Sequence, residues 1–340
     1  MWKAYASTFI LTAAGLLAAL LAFVLVIDPY GASPIGFSGE RALMDVNQRY
    51  MYPQIVRRKV HDSLVLGTST SRLLRPAELE ETFGGSFANL AMNSARAFEQ
   101  YRVFDLFERV NGPPRTLIVG LDVVWCADDA DTHRITPRGF PEWLYGERLW
   151  PALFYHLNFK TVEIAGRHVG RWLGLERPRY DGDGFGDFTG GEANWSLEKA
   201  RAHLWPDGRH PIRPVEPAFA ADAAMRAAWR FPALSWLQDI LGRAPGSTVI
   251  LAFMPVHVAA QPVPGSREAA REGECKRRVA ELAGRHGAAY VDLRVPSQMT
   301  RKDENYWDRL HWRLGVGDEI IAAMAAAAAE SGAAALAGTQ

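Results

Sequence analysis

The sequence predicts an α/β domain, a doubly wound parallel sheet covered by helices, behind one membrane-spanning helix. Three observations predict it. Residues 4–27 hold no charged side chain. Five short apolar runs follow at intervals along the chain. Helical patterns fill most of the gaps between those runs.

The first segment is long enough to span, since a hydrocarbon core of roughly 30 Å takes about 20 helical residues. Lys3 precedes the apolar run, and Asp28-Pro29-Tyr30-Gly31 follows it with no small-residue cleavage motif just before. Residues 1–30 therefore read as an uncleaved anchor. Lys3 and the amino terminus favour an inside N-terminus, whereas Arg41, Arg49, Arg57, Arg58 and Lys59 pull the other way. A large folded domain can be translocated despite such charges. The expected arrangement is a single pass through the inner (cytoplasmic) membrane, with residues 31–340 on the periplasmic side. The alanine-rich run at 320–336 carries Glu330 and reads as a soluble helix.

The five runs are Ser63–Gly67, Ser86–Leu90, Thr116–Leu121, Thr248–Phe253 and Ala289–Leu293. Unbroken apolar runs of this length suit strands buried on both faces, as in a parallel sheet. Helical patterns at Pro76–Phe83, Ala97–Val110, Glu268–His286 and Gly317–Ala335 alternate with them. In such sheets ligands sit at the carboxyl ends of the strands. Residues 127–245 carry no strong strand run and are too long for a simple crossover. They read as an insertion that forms a lid or substrate surface over that edge.

Composition excludes several classes. Of 340 residues, 38 are basic and 38 acidic, which gives no basic face for nucleic acid. A GxGxxG after a strand, a P-loop and an HExxH pair are all missing, so neither a cofactor nor a protein-built metal site is expected. The segment Asp181–Glu192 spaces acidic residues somewhat like a calcium loop, but Phe185 stands at a ligand position. It reads as a glycine-rich surface loop. Cys126 and Cys275 read as buried free thiols, with pairing in an oxidising compartment as the alternative.

Two segments could carry chemistry. The first strand run leads into Gly67-Thr68-Ser69-Thr70-Ser71-Arg72. A serine where strand turns to helix exposes its hydroxyl at the sheet edge, and its backbone N–H can serve an oxyanion. A hydroxyl-rich helix cap is the plainer alternative. Near the other end stands Asp308-Arg309-Leu310-His311. An Asp three residues before a His can bond the imidazole and fix its tautomer, leaving the far nitrogen to take a serine proton. The order Ser69, Asp308, His311 completes a triad.

With these motifs the chain resembles the SGNH/GDSL superfamily of esterases and acyltransferases across roughly residues 60–330. Gly67-Thr68-Ser69 corresponds to the family's Gly-Asp-Ser, with Thr68 in place of Asp, and Asp308-x-x-His311 matches its last motif. The likeness is nearest to the membrane-anchored branch of alginate O-acetylation and DltD-like proteins, which have one N-terminal span and an Arg near the serine, here Arg72. It implies a flavodoxin-like five-stranded sheet. It also implies chemistry on ester groups, acetyl first among them, of a cell-envelope or exported polysaccharide, in partnership with a multispanning membrane acyltransferase.

The middle motifs depart from the family. The oxyanion glycine of the second block is missing from Asn89-Leu90-Ala91-Met92-Asn93-Ser94, and Asp122 stands where the third block has Asn. Asn93, or else Asn89, is the replacement donor to expect. The same departures allow a catalytically degenerate alternative, a glycan-binding or scaffold protein of an export complex. His257, after the fourth strand run, faces the same edge as a substrate contact or a structural histidine. Trp143, Trp150, Trp172 and Trp195 of the insertion read as core residues before sugar platforms.

Overall fold

The computed structural model of the chain describes all residues except 34, 37–40, 148–152, 209 and 338–340. Five parallel strands form one sheet: β1 (Ser63–Leu66), β2 (Phe87–Asn89), β3 (Thr116–Leu121), β4 (Thr248–Phe253) and β5 (Ala289–Asp292). Their spatial order is β2-β1-β3-β4-β5, with Val65 beside Ile118, Ile118 beside Ile250 and Ile250 beside Ala289.

Eleven helices are described: α1 (Trp2–Ile27), α2 (Gln48–Arg57), α3 (Pro76–Phe83), α4 (Ala97–Asn111), α5 (Phe159–Trp172), α6 (Leu197–Leu204), α7 (Ala223–Ala228), α8 (Ala233–Gly242), α9 (Arg267–His286), α10 (Gln298–Arg301) and α11 (Gly317–Ala337). Side chains alternate across a strand, and here the alternation feeds two cores. Leu64, Leu66, Leu117, Val119, Leu251 and Phe253 join residues of α2, α4, α8 and α9. Val65, Ile118, Ile250 and Ala252 join residues of α3 and α11. After a Ser or Thr at their first position the central strands carry no polar side chain, which is why they read as unbroken runs.

The N-terminal helix α1 is apolar enough to cross a membrane, with a mean hydropathy of 2.8 over its best window. Only its last turns touch the domain, through buried Val24, Leu25 and Ile27. The chain then turns sharply at Asp28, whose buried carboxylate accepts from the Ala32 and Ser33 N–H groups and pairs with Arg41 at 2.8 Å.

The stretch 127–245 is not uniform. Its last helix, α8, buries Leu237, Ile240 and Leu241 in the larger core, so this part fills the sheet's flank instead of covering its edge. α5 packs beside α1. The middle, near residues 180–205, reaches the loops at the carboxyl ends of the strands, as described below. The two cysteines correct the expectation of free thiols: Cys126 and Cys275 form a disulfide joining the turn after β3 to α9. Nothing in the local sequence encodes that proximity, because 149 residues separate them.

Candidate active site

β1 delivers Ser69 to the sheet edge. The strand ends at Leu66, and Gly67 starts a tight turn in which Ser71 and Arg72 donate backbone bonds to the Thr68 and Ser69 carbonyls. The turn sits tightly on β3. A Cβ on Gly67 or on Gly120 would collide with the Ser71 side chain, so both positions require glycine. Among the described residues the Ser69 N–H donates to no acceptor, which leaves it available at the turn.

Ser69 Oγ lies 2.9 Å from His311 Nε2, and His311 Nδ1 lies 2.7 Å from Asp308 Oδ2. The other Asp308 oxygen accepts from the Leu310 and His311 N–H groups at 2.7 and 2.9 Å. Burial alone would raise the Asp308 pKa, but its bond to His311, the His311 charge and the two N–H donors together hold it below the ordinary carboxylate value. An ionised Asp308 places the imidazole proton on Nδ1 and leaves Nε2 to accept the Ser69 proton.

Several distant elements hold the histidine loop. Trp312 Nε1 donates to the Thr70 carbonyl at 2.8 Å, tying the loop to the serine turn. The His257 N–H donates to the Arg309 carbonyl at 3.0 Å, and Arg309 Nε reaches the Leu204 carbonyl at 2.9 Å. Arg313 pairs with Glu192 at 2.6 Å while stacking over Trp195. Phe188 meets the His311 ring edge-to-face at 5.2 Å.

These contacts decide between the two readings of His257 and remove Asn89 as a donor. His257 is fully buried, its Nδ1 accepts from the Ala259 N–H, and its Nε2 faces Asp303 at 3.3 Å. It braces the loop and does not line the site. The Asn89 amide nitrogen is committed to the Ser71 and Leu74 carbonyls, at 3.0 and 2.8 Å, so it shapes the serine turn from behind. It is no oxyanion donor.

Asn93 is placed differently. Beyond β2 the Leu90 and Met92 N–H groups bond the Val65 and Gly67 carbonyls, so this segment runs alongside β1 into the serine turn. Two buried arginines then fix Asn93. Arg49 Nη2 donates to its carbonyl at 3.1 Å, and Arg72 Nη1 donates to its Oδ1 at 2.7 Å. With Oδ1 accepting, the amide nitrogen is the end turned away from Arg72. Arg49 is itself held by a bidentate, fully buried pair with Glu99, both contacts at 2.8 Å. Arg72 packs over Phe188 at 4.4 Å and Tyr180 at 5.3 Å.

Asp122 ends up turned aside. Its carboxylate accepts from the Thr68 hydroxyl and from the Val124 N–H, capping the 3₁₀ turn Val123–Cys126. Burial raises its pKa, and the two donors counter that. Thr68 and Asp122, two of the three departures from the SGNH/GDSL pattern, thus satisfy each other.

No family model matches the chain, and no curated protein matches it. One solved structure, a gut microbial diltiazem-metabolizing enzyme, is similar at 9% identity and a TM-score of 0.39, over 79% of this chain. The chain spans about half of that enzyme's chain, 47%.

Among the described residues no group of three or more His, Cys, Asp or Glu side chains is placed to hold a metal. In the segment 181–192, Asp183 and Asp187 bond the Phe185 and Thr189 N–H groups, and Glu192 is committed to Arg313. The aromatics divide: Trp143 packs against Tyr30 and His156, Trp195 donates to the Tyr306 carbonyl, Trp172 is half exposed on α5, and Trp150 lies outside the described residues. Phe188, Arg49 and Glu192 were not legible as parts of the site, because each reaches it across a long sequence separation.

Proposed function

We propose that the chain is a membrane-anchored serine esterase or O-acyltransferase of the SGNH type, with a doubly wound sheet and its site facing the periplasm. The observation that carries this reading is the continuous chain Ser69 Oγ, His311 Nε2, His311 Nδ1, Asp308 Oδ2 at 2.9 and 2.7 Å. The span-length α1 and the Cys126–Cys275 disulfide, a bond of oxidising compartments, support the membrane and the periplasm.

In the proposed reaction Ser69 Oγ attacks an ester carbonyl while His311 Nε2 takes its proton. The carbonyl oxygen becomes an oxyanion, served by the Ser69 N–H and the Asn93 amide. The carbon–oxygen bond to the leaving alcohol breaks as His311 returns the proton to it. An acyl-Ser69 remains. A second hydroxyl, from a glycan or from water, gives its proton to His311 and takes the acyl group; the bond from Ser69 Oγ to the acyl carbon breaks as His311 Nε2 returns the proton to Oγ, which restores Ser69. Acetyl groups on an envelope polysaccharide, delivered by a multispanning membrane acyltransferase, are the substrate and partner this reading carries.

The test uses the full chain in detergent micelles with p-nitrophenyl acetate, beside Ser69→Ala and His311→Ala. Release of p-nitrophenol and an acetyl adduct by intact mass are expected in the parent and lost in both variants. Equal background rates in three folded proteins would overturn serine chemistry and favour the scaffold reading.

A further inference from the structure

Large apolar side chains stand out of the domain in one place beside the anchor. Tyr155, Phe159, Trp172, Leu173 and Leu175 are 63%, 85%, 50%, 69% and 77% exposed. Most other exposed apolar residues outside α1 are scattered singly, which is ordinary for a soluble surface.

α5 has three distinct sides. Thr161, Ile164, Ala165 and His168 are buried against the domain. Lys160, Glu163, Arg167 and Arg171 follow one another at helical spacing along a second side, where Lys160 and Arg167 pair with Glu163. Phe159, Val162, Gly166, Gly170 and Leu173 repeat at the same spacing along a third, which carries no polar side chain.

Its place relative to α1 indicates what meets that third side. α1 has 26 residues, so it is about 39 Å long at about 1.5 Å per residue, against roughly 30 Å for the hydrocarbon core. Because Val24, Leu25 and Ile27 are buried against the domain, a span through the exposed turns of α1 puts its last turns at the depth of the headgroups. α5 packs beside α1, and Val24, Leu25 and Ile27 are the buried residues of α1. Directly after α1, the Tyr30 hydroxyl bonds Thr161 of α5 at 3.1 Å. A helix at that depth with one apolar side, and a charged flank whose Lys160 and Arg167 are matched by Glu163 and buried Asp45, turns its apolar side to the interface.

We propose that α5 and the turn after it form a second membrane contact, with Phe159, Leu173 and Leu175 seated in the interfacial layer of the bilayer beside α1. This rests on the reading of α1 as a span. The same stretch of chain runs on to Phe188 at His311, so the contact ties one wall of the candidate site to the membrane surface.

The test places single nitroxide labels on the full chain in nanodiscs of phosphatidylcholine and phosphatidylglycerol. Both native cysteines are bonded to each other, so an introduced cysteine is the one thiol that labels. Phe159→Cys, Leu173→Cys and Leu175→Cys report the contact, Leu16→Cys reports the span, and Glu81→Cys reports water; thermal melts verify folding. Collision with molecular oxygen relative to a water-soluble nickel chelate is expected to be several-fold higher at 159, 173 and 175 than at 81. A lipid-like value at 16 with water-like values at 159, 173 and 175 would overturn the interfacial contact and leave the span standing. A water-like value at 16 would overturn the span reading itself, and the contact with it. Spin–spin broadening at 159 or 173 that vanishes on dilution with unlabelled protein would assign the face to a second copy and overturn the proposal.

Discussion

Arg72 donates from Nη1 to Asn93 Oδ1 at 2.7 Å, and this bond decides which end of the Asn93 amide is free. If the nitrogen end serves the oxyanion, Asn93→Ala removes a transition-state donor. That change is expected to lower kcat about 100–1,000-fold with little change in KM. Arg72→Gln leaves Asn93 in place but lets its amide turn, so a smaller loss in kcat is expected. The double variant is expected to cost far less than the product of the two. Steady-state kinetics on p-nitrophenyl acetate, with melting curves to verify folding, test this. Full multiplicativity would separate Arg72 from Asn93.

Asp308→Asn tests the tautomer argument. The amide can still reach His311, so folding is expected to be nearly unchanged. The charge that fixes the Nδ1 proton and stabilises the imidazolium is gone, so kcat is expected to fall about 1,000–10,000-fold. A loss below about tenfold, from kinetics on the folded variant, would remove Asp308 from the proposed triad.

The parts of the fold that could be read were local ones. The buried strands show as apolar runs because both faces of the sheet are covered, and Asp308-x-x-His311 is legible because its geometry is set within one turn. Asn89 and Asn93 illustrate the opposite case. They lie four residues apart with the same side chain, yet one amide donates to backbone carbonyls and the other accepts from Arg72. Only the return of β2 past the serine turn separates them. His257 looked like a candidate because it follows β4, but its surroundings come from Asp303 and Trp205, distant in sequence. Helices α5, α6 and α8 went unread because they pack chiefly on α1, on a loop and on α4, and α7 buries no residue at all.

The disulfide is expected to matter for stability. Cys126–Cys275 closes a loop with a sequence separation of 149, linking the turn capped by Asp122 to α9. Cross-links of long loops typically contribute about 2–5 kcal/mol. Cys126→Ser with Cys275→Ser is expected to lower the Tm by several degrees, and dithiothreitol is expected to do the same to the parent but not to the variant. Identical melts for parent and variant would show that the bond adds nothing.

His168 is expected to make the protein sensitive to acid. It sits on the buried side of α5, and burial, aided by the nearby Arg171 and Arg41 charges, lowers its pKa to about 4. The native state thus holds the ring neutral, whereas the unfolded chain takes up a proton below about 6.5. Between about 6.5 and 4 the unfolded state binds more protons, so stability rises with pH across that window. This contribution is full above pH 6.5, declines as the pH falls and levels off below about 4. The whole shift corresponds to about 3 kcal/mol. His61 and His156 also have lowered pKa values through burial, so the parent alone cannot isolate the effect. The measurement is guanidinium unfolding of the full chain in detergent at pH 7 and pH 4.5, beside His168→Gln. The variant is expected to lose less stability between the two pH values than the parent does. Equal losses in both would mean that His168 is not the group whose protonation opposes folding.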